Sequence, residues 1–378
     1  MIRHLLSGDR PGHPAVAALL VVMVVALAAA PWLFPGIGAL NAAGRICIFA
    51  VLAGSYDILL GYTGIVSFAH VVFFGIGAYA VAYPLSLGWT GWGAVLVGAA
   101  CGVTLSAAAA AAIGLLSLRV RAIFFSMITL AVASFAQLLA TRLRGITGGE
   151  DGLTFSVPRV LTPAFRLLPH PLLGVRIDGR VLTFELIVVI GLVLFLLMLR
   201  IVNSPFGRVL QAIRENEFRA EALGYRTIVH RTLAGVLAAA IASLAGGLLA
   251  LQLRYVGPDT TLSFATMIDI LLMVVIGGMG TLYGAALGAA VIVLAQTFLQ
   301  PAMQGLSDAA AGLPLLPVLV HPDRWLLWLG VLFVLIVIFF PAGIVGTLRA
   351  RAAARPAVTA ARDVAMDRTA VGVGRPPD

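Results

Sequence analysis

Apolar residues follow one another along most of this chain in runs long enough to cross a bilayer as helices. Ten such segments cover residues 15–34, 38–60, 68–87, 92–116, 122–141, 181–200, 231–253, 262–280, 284–300 and 325–345. A hydrocarbon core about 30 Å thick needs roughly 20 apolar residues as helix, and a backbone in lipid must satisfy its own hydrogen bonds. The run LIVVIGLVLFLLM does not alternate as the strands of an outer-membrane barrel do. The pattern predicts an all-α polytopic transmembrane bundle of about ten helices.

A stretch of dense charge interrupts this pattern between the sixth and seventh segments. It runs from Ser204 to Gly224, SPFGRVLQAIRENEFRAEALG, and we call it the charged segment. Ser204 is a good N-cap, Pro205 suits the first helical position, and Gly224 suits a C-terminal stop. The spacing predicts one amphipathic helix, in which Glu215 and Arg219 stand at a favourable i,i+4 distance. Its apolar stripe consists of Phe206, Val209, Leu210, Ile213, Ala220 and Leu223.

Periodicity alone leaves three uses for the charged segment open. It could lie in the membrane interface and merely join its neighbours, or form a solvated loop helix without a partner. It could also present a mixed polar and apolar surface to a cytoplasmic protein. Its charges exclude a transmembrane position.

The composition narrows the range of functions. The chain is 61% hydrophobic and 11% charged, with a mean hydropathy of +1.05, outside the range of soluble globular proteins. All 25 cationic residues are arginine, so the chain contains neither the lysine of a phosphate-binding P-loop nor a Schiff-base lysine. Cys47 and Cys101 fall in apolar segments, where core packing is the expected role. The sequence contains no zinc-type cluster and no nucleophile-elbow motif.

The distribution of arginine predicts the orientation of the chain. If residues 1–14 are cytoplasmic, the connection 201–230 and the tail 347–378 are cytoplasmic too, and most arginines lie on that side, as the positive-inside rule requires. The transmembrane domain then extends over residues 15–346, with the loop 142–180 on the outer side. The tail has lost the apolar periodicity and gained Pro, Gly and Arg, which predicts a flexible segment.

Charged groups inside apolar segments need an explanation, because an Asp or Arg at the bilayer centre costs about 2.5–3.5 kcal/mol on insertion scales. Arg45, Asp57 and Asp269 are of this kind, and Glu185 lies close to the predicted outer edge. These residues could line the path of a polar substrate or pair with one another. Alternatively, Arg45 extends to the outer interface and Asp57 lies near the inner one. His70 is more simply a packing residue than a titrating one.

Glycines cluster in two blocks of the sequence. They are Gly61, Gly64, Gly75 and Gly77 in the first block, and Gly277, Gly278, Gly280, Gly284 and Gly288 in the second. Small residues allow close helix packing, and broken transporter helices expose backbone groups at mid-membrane, so the blocks predict either tight packing or hinges. Segments two to five and seven to ten are predicted in opposite orientations, which is compatible with an inverted repeat.

Five ordered blocks give the chain a specific resemblance. They are GSYDILLGYTGIVSFAHVVFFGIGAY at 54–79, TGGEDGL at 147–153, the charged segment, YVGPDT…IDILLMVVIGGMGTLYGAALGA at 255–289, and FFPAGIVG at 339–346. In this order they resemble the signatures of the permease subunits of branched-chain amino acid ABC importers, the LivM type.

The resemblance implies that the charged segment is the coupling element, seated in a groove of a separate ATP-binding subunit. The residues expected at that contact are Arg208, Arg214, Glu215, Asn216, Glu217, Glu221, Ala222 and Gly224. The residues expected to line the pathway or act as hinges are Asp57, Gly61, Gly64, Ser67, His70, Asp269, Gly277, Gly278 and Gly280.

The resemblance also implies a complex in a bacterial inner membrane. Its other members would be two ATP-binding subunits, a homologous second permease, and a periplasmic or extracellular substrate-binding protein. ATP and Mg²⁺ would bind to the partner subunits, and this chain would bind no cofactor, metal or nucleic acid and carry out no covalent chemistry.

Three rival functions stay open beside this one. A related ABC permease could carry urea, short amides or sugars. A proton-coupled secondary transporter could use Asp57, His70 or Asp269 as a relay, although it leaves the charged segment unexplained. A structural or enzyme-anchoring membrane subunit would not require glycine-hinged helices.

Overall fold

The computed structural model describes residues 14–33, 36–117, 122–166, 177–309 and 321–347. Its helices are α1 (Pro14–Ala28), α2 (Ala30–Leu33), α3 (Ile37–Thr63), α4 (His70–Ser86), α5 (Trp92–Ser117), α6 (Ala122–Arg142), α7 (Arg144–Thr147), α8 (Gly179–Val202), α9 (Pro205–Glu215), α10 (Glu217–Ala222), α11 (Thr227–Leu253), α12 (Pro258–Thr261), α13 (Phe264–Gly277), α14 (Leu282–Ala309) and α15 (Trp325–Phe339). The strands are β1 (Leu153–Thr154) and β2 (Tyr255–Val256). The predictions of a cytoplasmic N-terminus and a flexible tail fall almost entirely on residues outside the described ranges.

A helix lies in each of the ten predicted segments, which confirms the all-α bundle. Within the described residues, eight helical segments are long and apolar enough to cross a membrane. The helix α4, with 17 residues, is shorter, and α1, with 15 residues, ends at Ala28 just before α2. The chain is a multi-pass helical membrane protein.

Two helices of equal length form the centre of the bundle. The helices α3 and α11 each have 27 residues and pack against each other. In addition, α11 packs on α4 and α5 of the first half, while α3 packs on α13 and α14 of the second half. Each half thus places one long helix against the other half, while the inverted repeat stays a prediction.

Glycine allows the closest helix contacts in this core. Gly77 of α4 faces the backbone carbonyl of Ser243 in α11, and Gly246 of α11 faces the carbonyl of Phe74 in α4. A Cβ at either position would overlap the facing backbone. At Gly77, then, the glycine serves close packing of α4 on α11.

The predicted outer loop 142–180 folds onto the end of α11. β1 pairs with β2 in an antiparallel ladder, with Leu153 opposite Val256 and Thr154 opposite Tyr255. Because β2 begins two residues after α11 ends, this ladder fastens the loop to the end of that helix. Residues 167–176 of the loop lie outside the described ranges.

The charged segment begins as predicted but is not one helix. The Oγ of Ser204 accepts a hydrogen bond from the N–H of Gly207 at 3.3 Å, and Pro205 is the first helical residue. Asn216, however, is extended, with φ −158° and ψ 100°, and separates α9 from α10. Its side-chain oxygen accepts from the N–H of Arg219 at 2.9 Å, so it caps a new helix instead of continuing the first.

The break at Asn216 changes two further expectations. Among the described residues, no ion pair joins Glu215 and Arg219, because they now belong to different helices. Gly224 follows the end of α10 with φ +91°, a conformation that glycine adopts readily, so the predicted stop is confirmed.

Candidate functional site

The charged segment rests on the helical bundle with one face. Leu210, Ile213 and Ala220 of the predicted stripe are buried, and α9 packs on α3, α8 and α11. Leu223 was wrongly placed on this stripe, since it is 73% exposed. The break at Asn216 ends the helical register of α9, so the periodicity that places Leu223 on the buried face does not hold in α10.

The opposite face mixes charged and apolar side chains at the surface. All eight residues predicted to contact an ATP-binding subunit are exposed. Beside them stands Phe218, which is 81% exposed and was missed by the stripe analysis. Its signal in the sequence is an aromatic residue flanked by charges in NEFRAE, at a position that the stripe leaves out.

Two carboxylates of the charged segment attach α10 to the beginning of α11. Glu217 forms an ion pair with Arg231. The Oγ1 of Thr227 donates a hydrogen bond to the Oε1 of Glu221 at 2.7 Å. These contacts fix the direction in which α10 presents Phe218.

The guanidinium of Arg214 reaches back from α9 to the ends of the membrane helices. Its Nη1 donates a hydrogen bond to the backbone carbonyl of Gly61, in the last turn of α3. A Cβ at Gly280 would lie 2.9 Å from the same nitrogen, and a Cβ at Gly64 would lie 3.3 Å from the Cγ of Arg214. Arg214 therefore contacts both halves of the bundle.

The end of α3 meets the turn between α13 and α14 at a contact that we call the glycine joint, formed by Asp57, Gly61, Gly64, Gly278 and Gly280. The N–H of Gly280 donates to the Oδ1 of Asp57 at 2.9 Å, although the two residues are 223 positions apart. Gly278 and Gly280 have φ values of +115° and +81°, which favour glycine. A Cβ at Gly61 would overlap both Asp57 and Gly280. Five of the predicted pathway and hinge residues thus meet in one place.

The glycine joint also touches the last block of the sequence. A Cβ at Gly278 would lie 3.1 Å from the carbonyl of Ala342, and Gly343 packs directly on the backbone of Gly278. Gly277, the last residue of α13, faces the carbonyl of Gly284 in α14. The end of α3, the end of α13, the turn before α14 and the residues after α15 therefore converge at the glycine joint.

His70 lies apart from the joint, at the start of α4, and is completely buried. The Oγ of Ser55 donates to the carbonyl of Leu52 at 2.7 Å and lies 2.9 Å from the Nε2 of His70. The hydroxyl of Ser55 and the Nε2 of His70 thus form a hydrogen bond in the interior of the protein. The ring also packs against Tyr56, with centroids 5.2 Å apart. This geometry fits a packing histidine.

Ser67 lies in the connection between α3 and α4 and is buried. Its neighbours tie this connection to α6: the N–H of Phe68 donates to Thr129 at 3.1 Å, and Ser126 donates to the carbonyl of Val66 at 3.0 Å. The connection after α3 is thus held by side chains of a neighbouring helix.

A separate polar link joins Arg45 and Asp269. Gln296 of α14 donates to the Oδ2 of Asp269 in α13 at 2.9 Å and accepts from the Nη2 of Arg45 in α3 at 3.5 Å. Sequence reasoning missed Gln296, a lone amide in the run VIVLAQTFL. Asp57 is not part of this link, since twelve helical residues, about 18 Å, separate it from Arg45 along α3.

Comparisons with known proteins show the family to which this chain belongs. The family described as branched-chain amino acid transport system / permease component matches residues 38–342. The high-affinity branched-chain amino acid transport system permease protein LivM of Salmonella typhimurium is 27% identical over 295 residues, which cover 75% of this chain and 68% of the relative. LivM of Escherichia coli is 26% identical over 304 residues, covering 76% and 70%. A probable LivM of Methanocaldococcus jannaschii is 30% identical over 225 residues, or 59% of each chain. No solved structure is significantly similar.

Proposed function

We propose that this chain, which belongs to the family of branched-chain amino acid transport permease components and is a permease subunit, imports branched-chain or related amino acids. Import would proceed by alternating access, driven by separate ATP-binding subunits. Residues 15–346 would form the transmembrane permease domain. The chain would carry out no covalent chemistry and bind no cofactor, since ATP and Mg²⁺ belong to the partner subunits.

The observation that carries the coupling part of this proposal is the exposed face of the charged segment. Phe218 is 81% exposed beside Arg, Glu and Asn side chains, while the other face of the segment is buried on the bundle. An exposed aromatic among charges is typical of a protein contact whose binding energy is concentrated in a few residues. We assign this surface to the ATP-binding subunit, whose closure would move the charged segment.

The proposed complex contains two ATP-binding subunits, a homologous second permease, and a binding protein that delivers substrate to the outer face. It would lie in the inner membrane of a bacterial cell, with both termini of this chain cytoplasmic. The loop 142–180 would then face the binding protein, and the connection 201–230 the ATP-binding subunits. Nucleic acid has no place in this mechanism.

The geometry suggests separate roles for the predicted membrane residues. Asp57 and the glycines around it form the glycine joint, so we assign them to the hinge. Asp269 is only part-buried and linked through Gln296 to Arg45, so we retain it as a pathway residue. His70 we assign to packing between α3 and α4.

Uptake into proteoliposomes tests the proposal. The vesicles would contain this chain purified together with the products of its neighbouring genes, with binding protein and labelled leucine outside and with or without ATP inside. We expect uptake only with internal ATP, and no loss of uptake when a protonophore is added.

Each rival function predicts a different result in the same vesicles. Uptake that does not depend on ATP and is abolished by the protonophore would overturn the proposal in favour of a proton-coupled transporter. ATP-dependent uptake of urea, an amide or a sugar instead of leucine would keep the mechanism and overturn the substrate. No uptake of any of these, with the complex intact, would point to a structural subunit.

A further inference from the structure

We propose that Arg214 is the positioning residue through which movement of the charged segment reaches both halves of the membrane bundle at once. The inference rests on the proposed function and adds to it the side chain and the contact that carry the movement. It also divides the charged segment into two parts, with α10 serving attachment to the partner and α9 serving transmission.

The first half is reached through the end of α3. Gly61 lies in the last turn of this helix, where backbone carbonyls have no partner within the helix. The Nη1 of Arg214 donates to this carbonyl, and its positive charge is favourable at the negative end of the helix dipole. A cation bound at this end therefore pulls on α3 through both a hydrogen bond and its charge.

The second half is reached through the turn between α13 and α14. The same nitrogen of Arg214 lies 2.9 Å from the position that a Cβ of Gly280 would take, so the guanidinium packs against the backbone of this turn. The N–H of Gly280 is bonded to Asp57 of α3 at 2.9 Å. Arg214 thus stands where the two halves are already tied together.

The glycine joint transmits movement because its backbone segments are in direct contact. Gly61 has no room for a Cβ against Asp57 and Gly280, and Gly343 is in direct contact with Gly278. When α9 moves, the guanidinium of Arg214 would carry the movement to the end of α3 and the turn at Gly280, because it contacts both. Coupling between distant sites requires an element that has two discrete arrangements. We assign this role to the packed contact at the glycine joint.

We place the attachment surface in the part of the charged segment after Asn216, and we reassign Arg214, which the resemblance placed at the contact with the ATP-binding subunit, to transmission. Phe218 and Leu223 are 81% and 73% exposed, and both follow the break at Asn216. Arg214 precedes the break, and its guanidinium is engaged with Gly61. Loss of Phe218 and loss of Arg214 should therefore have different consequences, one for assembly and the other for coupling.

The test compares Arg214→Ala and Arg214→Lys in the full complex with binding protein. Arg200→Gln, which removes another exposed arginine near the charged segment, is the matched control. Three quantities are measured: the ATP-binding subunits recovered per permease, the ATP hydrolysis rate, and leucine taken up per ATP hydrolysed.

We expect Arg214→Ala to keep the full complement of ATP-binding subunits and at least half of the ATP hydrolysis, while uptake per ATP falls at least tenfold. Arg214→Lys keeps the charge but not the planar fork of donors, so uptake per ATP should fall two- to fivefold. Arg200→Gln should stay within twofold of the original protein. If Arg214→Ala does not fold, as judged by its melting temperature and gel filtration, Arg214→Lys alone decides.

Two results would overturn the inference. Unchanged uptake per ATP in Arg214→Ala, or in Arg214→Lys if that variant alone decides, would show that no movement passes through this side chain. Loss of the ATP-binding subunits together with uptake would assign Arg214 to attachment instead. The unsubstituted complex separates these outcomes from failure of the proposed function, because absence of ATP-dependent leucine uptake there would remove both.

Discussion

The turn after α3 and the turn after α11 can be compared directly, because both helices have 27 residues and both end in a left-handed residue. Gly64 has φ +74° and Arg254 has φ +56°. Each turn leads into a connection and then a shorter helix, α4 with 17 residues and α13 with 14. In the predicted inverted repeat they would occupy matching places in the two halves of the bundle.

The contacts at these two turns differ in their source. The Nη2 of Arg254 donates to the carbonyl of Leu161 at 3.1 Å, and its own carbonyl accepts from Phe155 at 3.3 Å. The chain's own loop thus holds the end of α11, with the β1–β2 ladder beside it. The connection after α3 is also held by the chain itself, through Ser126 and Thr129 of α6, but the carbonyl of Gly61 in the last turn of α3 is bonded to Arg214, from a segment whose other face is exposed. On the proposed function, we infer that a partner moves the turn after α3 and leaves the turn after α11 in place, and we call them the movable turn and the fixed turn.

The largest effect on assembly should come from Phe218→Asp, which removes the exposed apolar side chain that we assign to the contact with the ATP-binding subunit. Truncation of such an anchor costs on the order of 2 kcal/mol or more, about a thirtyfold loss of affinity. We expect the ATP-binding subunits to be lost on purification while the permease keeps its melting temperature. Val160→Asp, at an exposed apolar residue of the outer loop, is the control. Equal recovery from both variants would refute the attachment role of Phe218.

Gly280→Val should have the next largest effect, since it acts inside the glycine joint. A side chain at φ +81° costs about 1–2 kcal/mol, and it would also meet Arg214 and Gly61. We expect uptake per ATP to fall more than tenfold. Gly88→Val carries the same backbone strain at φ +90° but has open space around it, so its uptake should stay within threefold. Similar losses in both would attribute the effect to strain alone.

The two left-handed residues themselves should respond differently to substitution. Gly64→Ala introduces a Cβ at φ +74° and should lower stability by about 1–2 kcal/mol. Arg254→Gly removes a similar strain and also a hydrogen bond worth about 1 kcal/mol, so its net effect should be near zero. Thermal unfolding in detergent measures both. A larger loss of stability for Arg254→Gly than for Gly64→Ala would mean that the turn after α11 depends mainly on the side chain of Arg254.

A small effect should also come from Glu217→Gln, which removes the ion pair with Arg231. The two side chains are 45% and 17% exposed, and pairs of this kind contribute about 0–1 kcal/mol. We expect a loss of less than about 1 kcal/mol in the stability of the permease, which 1 M salt should largely abolish. A loss that salt does not reduce would indicate a packing role for Glu217.

Much of the fold follows from local patterns, which explains what sequence reasoning found. Apolar runs located all ten helical segments, and the Ser204–Pro205 pair located the start of α9, because both signals involve neighbouring residues only. The spacing of apolar residues does not reveal where a helix breaks. The break at Asn216 was therefore missed, and Leu223 was placed on the wrong face.

The candidate site depends on contacts between distant residues, and these are not readable from one sequence. The glycine blocks were recognised, but nothing in them indicates that Gly61 and Gly280 touch. Arg214 looks like any other arginine of a solvated face until α3 is placed behind it. Gln296 acquires a role only when Arg45 and Asp269 come within reach from two other helices.

The distance between the movable turn and the fixed turn tests most directly whether Arg214 transmits movement to the bundle. Spin labels at Met279→Cys, in the glycine turn, and Thr154→Cys, in β1, report it once Cys47 and Cys101 are replaced by alanine in a complex that still transports. We expect ATP to change this distance in the complex and Arg214→Ala to abolish the change. No ATP-dependent change, or one that persists in Arg214→Ala, would contradict this role of Arg214.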